Sequence, residues 1–600
     1  MKKDIFILDN NKEFQFLKDN SIFQNNSKLI LLSSNFNKKI FNDQQFSSVV
    51  FYDSNIFKTN INIKFKEIYH IIWEWFIDHD NKDISTIDNL SLGRAFLNSV
   101  ELLTISAFRY YYGLKKHLNK FDRVTLFKNT EPVFLEVISI LKDELCLTIN
   151  EIDFQIDSSI KYKNLEIDLF ARKRDNPQFV ENKFTHNLLY KIDKFINSKK
   201  KFNKNIIFFP SGKMEEYFCS QNLNGIGGFK WTIPYTSKKE LIGIKKHSHY
   251  QFYIGGRENL SKKHIEKINK IKNNLIENLH KNKTIKFNKV LLINLYSKFI
   301  FKYFEGAFSY FLKSKNIYKT FMPELVIFSS DSHENNILAA QAAKLYSIKT
   351  VLTAHGLTGR GHKKFRKGKL ALFDYAIGFG KLDKENYIFS GFNKDKVFIS
   401  PLPYFGKFLK NKTDIIRNQK NVLILLPDFS ISLCEKLKFH YNYLNELVKK
   451  LEEKKINIIG IKARYDFQFE CFHTHENKII INGKKYNCYS GYSNFSYVVR
   501  SADFVIGPLG TAVLEASLLG KNYYPYIAHP FHLDSNTDYP NIEKIINISY
   551  SIKELLTNID KRSSFKKGSS IKDILEISKS NNQYHINKKF EKIILEILNH

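Results

Sequence analysis

Short apolar runs that end in polar turn residues recur along this chain, and segments with helical periodicity separate them. Three such runs fall within the first fifty or so residues: Ile5 to Leu8, Leu29 to Leu32 and Val49 to Tyr52. They close on Asp9-Asn10, Ser33-Ser34 and Asp53-Ser54. A strand buried on both faces of a parallel sheet reads this way, because neither of its faces meets water. Helices are expected over 63–78 and 91–118, where apolar residues return every three or four positions. A strand over 124–127 follows, and then a helix that Pro132 opens from its first turn.

The stretch 155–320 is less regular, with one clear strand over 206–209, a Gly-rich loop at 225–228 and a Lys-rich helix over 262–281. From Glu324 the alternation becomes clean, with strands over 325–328, 350–352, 374–377 and 397–399. It starts afresh at Asn421, with strands over 421–426, 456–461, 504–506 and 523–527 and a terminal helix over 588–598. Repeated β-α-β units with short connections imply parallel sheets. A single core stops growing at roughly 250–300 residues, so a chain of 600 needs at least two. The expected division is an N-terminal Rossmann-like domain over 1–410, elaborated at 155–320, a C-terminal Rossmann-like nucleotide-binding domain over 411–560, and a helical tail over 561–600. The fold class is α/β, with two open parallel-sheet domains facing a central cleft. Ligands of such sheets sit beyond the carboxyl ends of the strands.

The net charge of +33 has two readings. Heavy use of Lys, Asn, Ile and Phe points to coding bias, while the excess itself points to a polyanionic partner. Zinc-finger spacing, an RNP-like aromatic strand and a basic tail are not found, which disfavours nucleic acid. An anionic membrane surface or a negatively charged nucleotide-linked sugar fits better. Five cysteines without a C-x-x-C pair suggest a reducing compartment. The first residues read as a strand, not a signal peptide, and no run reaches the roughly 18 apolar residues of a spanning helix. The expected location is cytoplasmic, with any membrane contact peripheral, at the inner face.

Gly507-Pro508-Leu509-Gly510-Thr511-Ala512-Val513-Leu514-Glu515-Ala516 carries the most chemistry. It runs from a strand through a small-residue turn into a helix. Backbone N–H groups and the dipole at a helix start hold phosphate. Gly510 lets a phosphate approach the backbone, Thr511 adds a hydroxyl, and Glu515, one turn on, can accept hydrogen bonds from a ribose. A tight packing turn with Thr511 as a plain N-cap is the alternative.

The segment from about Glu324 to Tyr526 resembles the GT-B glycosyltransferases of bacterial surface-polysaccharide assembly, a group that includes capsule and O-antigen Kdo transferases. It is also similar to the glycerophosphotransferases of teichoic-acid synthesis. The residues that carry the resemblance are Ser329-Ser330-Asp331, Ala354-His355-Gly356, Asp374 to Gly380, Pro401-Leu402-Pro403 and the turn from Gly507 to Glu515. Where such families place Lys-x-His-Pro, this chain reads Lys462-Ala463-Arg464. Lys462 fits the family's lysine, and the Arg464 fork suits a phosphate in place of the histidine. A solvated strand end is the other reading of that pair.

The resemblance implies that His355 contacts donor phosphate or the reacting centre, with Arg360 in a basic, Gly-rich loop beside it. Asp331 and Glu131 each follow an apolar strand. Sugar transfer needs a base for the acceptor hydroxyl or a nucleophile for double displacement. Asp331 is expected in one of those roles, or as a cap of the next helix. Glu131 is its expected acid/base partner. The cluster Cys471, His473, His475 shares one strand face but lacks further ligands, so a surface segment is preferred over a metal site. With no nucleotide-chelating Asp-x-Asp motif standing out, neither metal nor cofactor is expected. The expected partners are a nucleotide-sugar donor, by preference a CMP-linked acidic sugar such as Kdo or a nonulosonate, and a glycan or lipid-linked acceptor. A CDP-glycerol or CDP-ribitol phosphotransferase and a UDP-sugar 2-epimerase are the alternatives.

Overall fold

The structure, a computed structural model, describes residues 4–8, 11–22, 27–31, 46–51, 70–128, 132–153, 204–209, 229–235, 250–253, 258–331, 334–353, 371–401, 405, 408, 420–426, 444–463, 469, 473–475, 478–490, 495–527, 542–576 and 583–600. The described strands form three main sheets. The first holds β1 (Asp4–Leu8), β2 (Ser27–Leu31), β3 (Phe46–Phe51), β4 (Arg123–Phe127) and β5 (Thr148–Ile152). All are parallel and lie in the order β3-β2-β1-β4-β5. Helices α1 (Leu97–Lys115) and α2 (Pro132–Leu145) flank β4 in the chain. Pro132 does open α2, where its missing N–H has no intrahelical partner to lose. The helix expected over 91–118 is broken at Phe96, which leaves Leu92–Ala95 as a separate turn.

The second sheet is parallel throughout: β6 (Lys204–Phe209), β7 (Phe229–Tyr235), β8 (Tyr250–Tyr253), β9 (Leu325–Phe328), β10 (Lys349–Thr353), β11 (Tyr375–Gly378) and β12 (Val397–Ile399). Its order is β8-β7-β6-β9-β10-β11-β12. Three helices join β8 to β9: α3 (Lys262–Lys281), α4 (Lys289–Phe299) and α5 (Phe304–Phe321), and α6 (Glu334–Lys344) follows β9. The third sheet contains β13 (Asn421–Leu425), β14 (Asn457–Lys462), β15 (His473–His475), β16 (Lys478–Ile481), β17 (Lys484–Tyr489), β18 (Phe504–Gly507) and β19 (Asn522–Pro525). Its order is β15-β16-β17-β14-β13-β18-β19, antiparallel only where β16 pairs with β15 and with β17. Helix α7 (Thr511–Leu518) leaves β18, and α8 (Gln583–Asn599) closes the chain.

Each sheet starts at an inner strand, builds outward to one side and then crosses back, the Rossmann arrangement. The α/β class and two successive Rossmann-like parallel sheets agree with the sequence reading. The strands of 1–410 nevertheless divide between two sheets, so a further parallel sheet precedes that pair. The stretch 155–320, expected as an elaboration, supplies β6, β7 and β8 to the second sheet. Its strands were hard to read because β7 (FKWTIPY) and β8 (YQFY) lie toward the sheet's edge, where an unbroken aliphatic run is not required and Pro234 is tolerated.

One continuous apolar core includes Ile7 and Val124 of the first sheet, Ile207 and Leu325 of the second, and Leu423 and Val505 of the third. The third sheet buries its other face, with Val422, Ile424 and Ile506, against the helical residue Leu447. The terminal helix returns to the second sheet. Phe590, Ile593, Ile594 and Ile597 enter the continuous core, and Lys349 Nζ donates to the carbonyls of Ile597 (3.1 Å) and Leu598 (3.0 Å). A cation at the end of α8 offsets carbonyls that have no helical donor.

A polar knot ties the first sheet's helices to α4. Glu144 accepts from Tyr111 Oη (2.7 Å), Lys115 Nζ (2.9 Å) and Asn288 Nδ2 (2.7 Å). Burial raises the Glu144 pKa, but the hydrogen bonds from Lys115, Tyr111 and Asn288 outweigh it and hold the carboxyl below its ordinary range. A depressed carboxyl stabilises the fold above its unfolded pKa and loses that contribution as pH falls through the folded value. Glu144→Gln is therefore expected to cost about 1–2 kcal/mol at pH 7. In denaturant titrations the gap to the parent protein should close below about pH 4. A gap that is the same at pH 3 and pH 7 would assign the knot no electrostatic role.

Candidate functional site

In an open α/β sheet the order of strands reverses where the first strand meets the fourth, and the helices on either side diverge to leave a crevice there. In the third sheet this point lies between β13 and β18. The turn Gly507-Pro508-Leu509-Gly510 leaves β18 at that point and runs into α7. Gly507 is confined: a Cβ there would lie 2.6 Å from Tyr523 Oη and 2.8 Å from Leu425 Cβ. Tyr523 Oη donates to the Pro508 carbonyl at 2.7 Å, and the Gly507 carbonyl accepts from Tyr526 N at 2.8 Å. The base of the turn is thus rigid.

Its tip is different. Gly510, not Thr511, is the N-cap of α7, so the reading of Thr511 as a plain cap is corrected. No side chain caps this helix start, and a Cβ on Gly510 would meet nothing within 4 Å. The Gly510 φ of 174° is extended backbone that any residue adopts, so neither strain nor packing calls for glycine here. Glu515, one turn into α7, is fully buried. Burial, and then the charge of Glu515, push the Tyr523 hydroxyl well above its ordinary range.

Lys462 ends β14, on the far side of β13 from β18, and its side chain is buried. Two strand spacings put its backbone about 10 Å from that of Gly507. Arg464 follows two positions later and lies outside the described residues.

In the second sheet the reversal lies between β6 and β9. Ser329 marks it, with its N–H and its hydroxyl both donating to the Phe209 carbonyl at 3.1 Å. Asn336 Nδ2 donates to the Ser330 carbonyl at 3.0 Å, which draws α6 onto the turn. Asp331, half-buried, follows directly. His355 and Arg360 come after β10, the hydrogen-bonded neighbour of β9, but both lie outside the described residues. So does Glu131, which follows β4, a strand of the first sheet. Asp331 and Glu131 were expected as a pair from one domain; they follow strands of separate sheets.

The segment 571–576, which sequence reasoning passed over, joins the two sheets at their carboxyl ends. Glu576 N donates to the Phe379 carbonyl at 3.1 Å, just past β11, and Ile571–Asp573 packs on α7. A Cβ on Gly380 would lie 2.0 Å from the Ile574 carbonyl oxygen. In the sequence Gly378, Phe379 and Gly380 stand only as part of a motif, and nothing local marks residues 571–576 as their partner. Of the Cys471, His473, His475 cluster, only the backbone of β15 is described, and no acid, His or Cys group suited to a metal occurs among the described residues.

No family model matches the chain, and no curated protein matches it. Among solved structures it is similar to the UDP-GlcNAc 2-epimerase of Methanocaldococcus jannaschii, at 12% identity and a TM-score of 0.41 over 65% of this chain and 99% of that one. It is also similar to the UDP-GlcNAc 2-epimerase of Neisseria meningitidis bound to UDP-GlcNAc (12%, 0.39, 66% and 99%). A glycosyltransferase from Rickettsia africae matches at 14% and 0.38 over 66% and 99%. These scores are low. The strand order alone carries the fold.

Proposed function

We propose that this chain is a glycosyltransferase of GT-B type that moves a sugar from a nucleotide donor to a surface-glycan or lipid-linked acceptor. One observation carries the reading: an uncapped helix start at a switch point, with open space where a side chain on Gly510 would be. The N–H groups of the α7 start take the donor phosphate, and the Thr511 hydroxyl adds a donor. Lys462, with Arg464, opposes the negative charge that builds up as the nucleotide leaves. Glu515, expected at the ribose, is fully buried one turn into α7 and offers it no exposed carboxylate. Asp331 attacks the sugar carbon or draws the proton from the acceptor hydroxyl, Glu131 is its acid/base partner, and His355 and Arg360 contact donor phosphate or carboxylate. Backbone and side chains supply all of these roles, with no metal or cofactor assigned.

The preferred donor is a CMP-linked acidic sugar, on the sequence resemblance and the basic balance of the chain. A melting screen with CMP, UDP, CDP and GDP tests the site, because a ligand that binds only the folded form raises the midpoint with the logarithm of its excess over Kd. Failure of all four to move the midpoint would remove the reading. Incubation with activated donors then separates the reactions. Acceptor-dependent sugar transfer supports the proposal, transfer of a phosphoryl-linked alcohol points to the CDP-polyol reaction, and an isomerised sugar without acceptor points to epimerisation.

Asp331→Asn keeps the shape of the side chain and removes its charge. Turnover is expected to fall roughly 100-fold or more while the melting midpoint holds, as for loss of a nucleophile or base. Unchanged turnover would take Asp331 out of the chemistry.

A further inference from the structure

The positive charge of this chain is not evenly spread. Residues 258–321 hold fourteen lysines, four glutamates and neither arginine nor aspartate, a net +10 in about a tenth of a chain whose total is +33. Coding bias spread uniformly would place about a third of that excess there. The segment forms the helical layer α3, α4 and α5. Helix α3 buries Ile268, Ile271, Leu275 and Leu279. At 100° per residue, Lys263, Lys270 and Lys281 stand on the opposite side, all exposed. Lys283 and Lys286 extend the exposed row through the turn into α4. Lys263, Lys270, Lys283 and Lys286 have no ion-pair partner among the described residues, and they outnumber the carboxylates beside them, Glu266 and Glu277 on the same face of α3 and Glu74 against Thr284. Two exposed apolar side chains belong to the same layer: Val290 (52%), in the first turn of α4, and Ile265 (37%), on the flank of α3 away from its lysine row.

We infer that the outer face of α3 and the start of α4 is a docking surface for an anionic phospholipid bilayer. Lysine ammonium groups on long stems suit a fluid layer of lipid phosphates, which asks for charge without fixed geometry. Nucleic-acid recognition draws on the bidentate arginine fork, which this layer lacks. Exposed Val290, four residues past Lys286, gains from contact with the acyl boundary and gains nothing from a phosphodiester backbone. This inference is independent of the reaction proposed above, because none of these residues belongs to the candidate site.

The test is co-sedimentation of the full-length protein with phosphatidylcholine vesicles, with and without phosphatidylglycerol, over a range of salt. Binding is expected only to the anionic vesicles and should weaken as salt rises. The triple variant Lys263→Gln, Lys270→Gln, Lys286→Gln should bind about 100-fold more weakly, at the usual contribution of a lysine near an anionic surface. A control with the same charge change elsewhere, Lys553→Gln, Lys561→Gln, Lys567→Gln, should stay within about threefold of the parent. The melting midpoint of each variant reports folding. Three outcomes overturn the inference: no binding to anionic vesicles, equal loss in both triple variants, or tighter binding to a single-stranded RNA at equal phosphate concentration. The second would make the attraction a diffuse net-charge effect, and the third would make the layer a nucleic-acid face.

Discussion

Gly510→Ala is expected to leave the protein folded and to weaken nucleotide binding at least tenfold. The new methyl enters open space, so nothing inside the protein must move. Glycine and alanine at an N-cap differ by about 1 kcal/mol or less, which moves a melting midpoint by only a few degrees. The methyl stands, however, where a phosphate must approach the N–H groups of α7. Gly507→Ala, three residues earlier, should do the reverse. Its methyl would press on Tyr523 Oη and Leu425 and cost about 1–3 kcal/mol of overpacking. Calorimetric titration with the best nucleotide of the screen, paired with melting curves, reads both variants. If Gly510→Ala binds nucleotide like the parent, phosphate is not held at this helix start.

Gly380→Ala carries the second large effect. The added Cβ would stand 2.0 Å from a backbone oxygen, that of Ile574, which cannot rotate aside as a side chain would. The backbone at Gly380 is extended (φ −168°), so the cost is contact alone and not conformation. Either the 571–576 segment lifts from the end of β11, or the strand end shifts. Both break the hydrogen bond from Glu576 N to the Phe379 carbonyl and loosen the chain that leads to α8. Stability should fall by about 3 kcal/mol or more, at the upper end of overpacking effects. Limited proteolysis should release the terminal segment before the rest of the chain is cut. A variant that melts and resists protease like the parent would mean that the contact relaxes at little cost.

Much of the second and third sheets could be read from the sequence. The strands at Leu325–Phe328 and Val397–Ile399 and the helix at Lys262–Lys281 fall where periodicity places them, and the strand that opens at Asn421 ends within one residue of its expected end. Leu325–Phe328 and Asn421–Leu425 are legible because a strand covered on both faces must be apolar throughout, and the helix because its buried residues return every three or four positions. The sequences of β7 and β8 are not unbroken aliphatic runs, and so the stretch that holds them reads as an elaboration. Of the site, Gly507 to Glu515 was legible because a strand, a small-residue turn and a helix start are consecutive in the chain. Tyr523, which holds that turn by its hydroxyl, was not, because a tyrosine in an apolar strand looks like core until its partner is known.

From sequence alone came the alternation of strand and helix, the parallel α/β class, and the turn that opens α7. All of these depend on neighbours a few residues apart, whose spacing expresses burial directly. Only the tertiary structure decided which strands share a sheet, that Glu131 and Asp331 follow different ones, and that residues 571–576 close on Gly380. Pairings across tens to hundreds of residues leave no local pattern, because a strand edge presents the same N–H and C=O groups to any neighbour and the choice is made by packing of the whole core.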